Sequence, residues 1–175
     1  LLEIYPDTGP GTGVASLSWF TYDTTVGGAE RQRWYTAQGS VTTGQATAQL
    51  TIFQNTVGNF GAPPITNARA VGTAALRFDT CSSGQLDYAF SDGSARSGTI
   101  PLSRAIQNVT SATTTTYPTD ADFALSGNWY AAATSGQGFS LEANPISGAF
   151  FLAWYTYVPN GAGAGHSPAK WRPTR

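Results

Sequence analysis

The chain has 175 residues, of which 41% are hydrophobic and only 11% charged, against roughly 25% charged in ordinary soluble domains. A net charge of −1, with Lys170 the single lysine among nine basic residues, leaves no basic stripe for phosphates and excludes nucleic acid as a partner. No window reaches 18 consecutive apolar residues, so no membrane-spanning helix is expected.

The length suits one domain with a sizeable core plus part of another, and five Trp, eight Tyr and nine Phe supply its interior. There is no Met and the chain opens at Leu1, which reads as a processed or partial product. A Gly/Thr/Ser/Ala-rich, almost Lys-free composition suggests a bacterial protein that is secreted or displayed on the cell surface. Cys81 stands alone, so no intrachain disulfide forms. It reads as a small buried hydrophobe, the alternative being a cross-link between chains.

Strand signals dominate in chain order. LLEIYP (1–6), VASLSWFTYD (14–23) and QRWYTAQGSV (32–41) come first. In QATAQLTIF (45–53), Ala46, Ala48, Leu50 and Ile52 alternate with polar residues, the period of a half-buried strand. The segment from Gln54 to Ala68, containing Pro63-Pro64, reads as a long loop. RAVGTAALRF (69–78), GQLDYAF (84–90) and SGTIPLSRAI (97–106) come next, the last two joined by a hairpin turning at Asp92-Gly93. NVTSATTTTYPTDAD has little to bury, and residues 108–122 read as a Thr-rich linker.

Beyond the linker the chain repeats itself. SLEANP (140–145) aligns with LLEIYP (1–6), LAWYTY (152–157) with LSWFTY (17–22), and Lys170-Trp171 with Arg33-Trp34. The copies are cut at different places. Residues 1–107 form a β module lacking anything like SGNWYAAATSGQG (126–138), while 123–175 carry that opening but end at the third strand of the first copy. One full unit therefore has about eight strands, the number that closes a small antiparallel up-and-down barrel. The expected fold is all-β: a barrel-like module with a partial second repeat.

The ordered motifs Gly127-x-Trp129-Tyr130, Ser135-Gly136-x-Gly138, Trp19 to Asp23, Trp34-Tyr35, Val71-Gly72-Thr73-x-x-Leu76-x-Phe78, Asp87-Tyr88 and Leu102-x-Arg104 resemble uncharacterised repeat modules of bacterial secreted proteins. That resemblance implies a secreted β-rich module and carries no activity with it. LSGNWYAAATSGQGFSL is also similar to the first hairpin of avidin-type barrels, although the rest of a biotin-site pattern is not evident.

No catalytic constellation is readable, and no enzyme activity or cofactor is expected. His166 lies in a Gly/Pro-rich stretch unsuited to a Ser-His-Asp arrangement. One His and one Cys cannot make a zinc site without several carboxylates. Glu3, Glu142 and Asp87 are strand carboxylates that an inward orientation would bring into a barrel, yet nothing in the spacing sets two of them at glycosidase separation. The aromatics Trp19, Tyr22, Trp34, Trp129, Tyr130, Trp154 and Tyr157 read first as core. Their alternative is a carbohydrate or small-ligand platform. Along 19–22, Trp19 and Thr21 point one way and Phe20 and Tyr22 the other.

The offset between repeat and chain leaves open sheet edges. Three outcomes are expected of it. Residues 127–130 fold back to close the first module, a second chain supplies the missing strands, or the chain is a trimmed piece of a longer array. The leading expectation is a self-assembling structural or adhesive module, a homo-oligomer or polymer joined through edge strands; the second is a carbohydrate or small-ligand binding module using the aromatics of the barrel.

Overall fold

The computed structural model describes residues 1–6, 11–28, 31–62, 66–80, 82–103, 126–134, 136–144 and 148–157. The expected linker (108–122), Cys81, His166 and Lys170-Trp171 lie outside them. The protein is all-β. A seven-stranded sheet runs in sequence order through β1 (Leu2–Pro6), β2 (Thr12–Tyr22), β3 (Gln32–Thr42), β4 (Thr47–Thr56), β5 (Asn67–Phe78), β6 (Ser83–Phe90) and β7 (Ser97–Ser103), each neighbour antiparallel. A second sheet of β8 (Gly127–Trp129), β9 (Gly138–Asn144) and β10 (Ala149–Tyr155) has the order β10-β9-β8.

Alternation builds the large sheet. Ala15, Leu17, Tyr35, Ala37, Ala48, Leu50, Ile52, Val71, Ala74, Leu76 and Leu86 form its buried face, with Trp19, Tyr88, Phe90, Ile100 and Leu102 packed against them. The sheet curls around this core as a half-barrel. Two local features bend it. β3 pairs β4 only from Thr36↔Phe53 to Gln38↔Thr51, and a Cβ on Gly39 would meet the carbonyl of Gln49, so only glycine permits the close crossing there. The register of β4 and β5 also shifts between Ile52 and Phe53, leaving Val71 as an extra residue, and such bulges sharpen local twist.

The expected loop from 54 to 68 is shorter than the sequence suggests. The ladder extends through Asn55↔Ala68 and Thr56↔Asn67, because backbone hydrogen bonds carry polar residues that show no apolar alternation. The intrachain closure does not occur either. β8 pairs β9, with Trp129 opposite Phe139, and among the described residues no strand pairs the outer edge of β1 or β7.

Candidate functional site

The small sheet lies against the outer face of β1–β3, the face opposite the core. Phe20 stacks on Tyr155 with centroids 4.9 Å apart and planes 6° from parallel. Trp34 meets Tyr155 at 5.6 Å and Tyr157 at 6.5 Å. Asn128 donates its backbone N–H to the Tyr5 hydroxyl (2.8 Å) and its side-chain amide to Ser16 Oγ (3.3 Å). Tyr155 Oη donates to Ser140 Oγ at 2.9 Å, and Ser140 donates to Asn128 Oδ1.

A second attachment involves the turn after β4. Gln137 accepts from Gly61 N–H (3.1 Å) and from Thr156 Oγ1 (2.9 Å), and its amide donates to the Asn59 carbonyl (2.7 Å). The Tyr157 ring lies where a Cβ on Gly58 would stand, and burial pushes its phenol up to about 12.

Residues aligned between the two hairpins meet across this interface. Phe20 is the counterpart of Tyr155, and the two stack on each other. Glu3 is the counterpart of Glu142, and the two carboxylates lie within electrostatic reach. Burial, more than any other cause, raises the Glu3 carboxyl above its ordinary range. The hydrogen bond from Tyr5 opposes the rise, and the charge of Glu142 adds to it.

None of the three strand carboxylates takes the inward orientation that a barrel site would need. Glu3 stands opposite Ser16, and Glu142 opposite Phe151; both face the gap between the sheets. Asp87 is also on the outer face, accepting from Thr99 Oγ1 (2.5 Å) and Gln85 Nε2 (2.7 Å).

The outward face of the small sheet is apolar throughout. Trp129 and Phe139, Leu141 and Leu152, Ala143 and Phe150, and Phe139 and Trp154 are register partners on it. Phe139 and Trp154 stack at 5.6 Å, and Phe60 reaches Trp154 from the turn after β4 at 5.6 Å. Phe139, Phe150, Leu152, Trp154 and Trp129 are each 39–59% exposed. These side chains leave the outward face of the small sheet apolar and partly exposed.

The seven aromatics picked out by sequence therefore separate. Trp19 belongs to the core, packed on Tyr88 (4.9 Å), Phe90 (5.8 Å) and Tyr35 (5.9 Å). Arg96 caps that cluster, its guanidinium 4.2 Å from the Phe90 centroid and 2.7 Å from Asp92. Trp34 and Tyr157 join the two sheets. Trp129 and Trp154 share the outward face, with exposed Tyr130 beyond the end of β8. Tyr22 and Trp154 come together, with Phe20, Thr21, Gln32 and Arg33, around a cleft of about 490 Å³ between the sheets. Sequence reasoning passed over Phe139, Phe150 and Leu152. The alignment of Leu152 with the core residue Leu17 was the available signal.

No family model, curated protein or solved structure matches the chain.

Proposed function

We propose that this protein is an extracellular, non-catalytic structural or adhesive β module that self-assembles by strand complementation between chains, as the subunit of a fibre or surface layer. One observation carries the reading: β9–β10 repeats the β1–β2 hairpin, yet the face that is core in the first copy is uncovered in the second. The edges support it. β7 carries Pro101, which removes a donor and blunts an edge. β10, AFFLAWY, has neither charge nor proline, no described strand pairs its outer edge, and an apolar edge of that kind is a template for pairing with another chain.

Light scattering across a concentration series, with electron microscopy of the same samples, tests the reading. Mass rising above 18.3 kDa with concentration, and elongated particles, are expected. Trp154→Asp should suppress both without unfolding the large sheet. A strictly monomeric species at all concentrations overturns the proposal.

A second reading draws on the cleft. The exposed ring of Tyr22, beside Thr21, Gln32 and Arg33, offers an aromatic face for the C–H face of a sugar ring and polar groups for its hydroxyls. Arg33 is held by Asp23 at 2.7 Å, which favours a neutral saccharide. Quenching of Trp fluorescence on titration with neutral oligosaccharides, lost in Tyr22→Ala, would establish it; unchanged emission would remove it.

A further inference from the structure

We infer that the chains join by exchanging equivalent hairpins: β8–β10 of one molecule takes the place of β1–β2 on the β3–β7 sheet of another. The inference rests on the assembly reading and specifies which segment is given and where it is received. Each molecule holds two copies of one hairpin but, among the described residues, one β3–β7 sheet to cover them. The copies therefore compete for a single set of partners.

Residue by residue, the second copy fits the first copy's place. In the ladder with β3, Leu17 stands opposite Ala37, Trp19 opposite Tyr35, Phe20 opposite Trp34 and Tyr22 opposite Gln32. Leu152, Trp154, Tyr155 and Tyr157 present the same or closely similar side chains at those positions, with Thr156 matching Thr21. Trp154 enters where Trp19 now meets Tyr35, Tyr88 and Phe90. The apolar face of β9–β10 thereby gains a complete set of core neighbours.

The incoming copy brings a further strand with it. β8 pairs β9 along the edge that is open on β1, with Gly127 opposite Leu141, the counterpart of Leu2. A sheet holding β8–β9–β10 and then β3–β7 has eight strands, the number that closes a small barrel, against seven at present. The β8–β9 ladder is carried over unchanged, and the displaced β1–β2 hairpin keeps its own open edge. Giving and receiving surfaces differ, so each molecule can do both. The contact is heterologous and propagates into an open chain. The displaced β1–β2 hairpin then shows Leu17 and Trp19 in place of Leu152 and Trp154.

A reversible lock on β1–β2 tests this. Val14 and Ser40 are exposed cross-strand neighbours on the outer face. The backbone bonds Asp23 N to Arg31 O and Thr43 N to Gly11 O, both 2.7 Å, put the hydrogen-bonded pairs on the core face of this ladder. The Val14–Ser40 pair is thus the closer, non-hydrogen-bonded type, suited to a disulfide. In a Cys81→Ser background, V14C/S40C should assemble when reduced and show at least tenfold less assembled mass when oxidised. Reduction of the same sample should restore assembly, which controls for folding. Equal assembly of oxidised and reduced protein overturns the exchange while leaving self-assembly standing. If neither form nor the Cys81→Ser parent assembles, both readings fall.

Discussion

Leu17 and Leu152 hold the same place in nearly the same six-residue phrase, yet Leu17 is 8% exposed and Leu152 43%. The difference is not in the hairpins. Both alternate, both pair antiparallel, and both turn their other face to the same intersheet gap. It lies in the neighbouring strands. β2 continues into β3 and a sheet that curls back over Leu17 and Trp19, whereas no described strand pairs the outer edge of β10. Amphipathic pattern sets which face a strand wants to bury, and only its neighbours determine whether that happens.

Breaking the comparison should give its largest effect at the leucines. Leu17→Ala should lower unfolding free energy by about 2–5 kcal/mol, as buried leucine truncations do. Leu152→Ala in the monomer should stay within about 0.5 kcal/mol. Urea denaturation at low protein concentration measures both. Equal losses would mean that the two faces are equally packed.

The shared interface is probed at Tyr155, buried against Phe20 and bonded to Ser140. Tyr155→Ala should cost about 3 kcal/mol of docking, seen as faster hydrogen exchange in β8–β10 while β4–β6 keep their protection. Gly58→Ala places a Cβ in the Tyr157 ring, and overpacking of this sort costs about 1–3 kcal/mol. It should loosen the small sheet in the same exchange experiment, with β4–β6 again unaffected.

The smallest effect is electrostatic. Glu3 binds its proton more tightly folded than unfolded, so the folded state is favoured at pH below the ordinary carboxylate value. That contribution is lost as pH rises through the raised native value. Glu3→Gln should flatten this slope in melting temperature against pH. Asp92 acts oppositely. Although burial pushes upward, hydrogen bonds from Ser94 and Arg96 bring it down to about 2. Its contribution should fade as pH falls from about 4 towards 2.

Much of the large sheet was legible because period-two alternation is a local property. Ala48, Leu50 and Ile52 stand on the buried side as their spacing indicates, and Trp19 and Phe20 do point to opposite faces. The repeat also made Leu152 and Leu17 equivalent on sequence alone. The pairing of β8 with β9 agrees with the hairpin resemblance of residues 125–141, but sequence left it beside the alternative of pairing with β1, since equivalent edges look alike in sequence. The separation of the aromatics was not legible. Trp34 and Trp154 differ in their neighbours across the intersheet gap, and no spacing along the chain encodes those. Glu3 illustrates the same limit: parity puts it opposite Trp19's side of the sheet, but only the docked hairpin explains why that side is half-buried.

Hydroxyl-radical footprinting of Trp19 and Trp154, read out by mass spectrometry across the concentration range in which mass grows, tests the equivalence of the two hairpins most directly. Hairpin exchange predicts that Trp154, reactive in dilute monomer, becomes protected as chains join, with a matching gain of reactivity at Trp19. Assembly with both reactivities unchanged would contradict it.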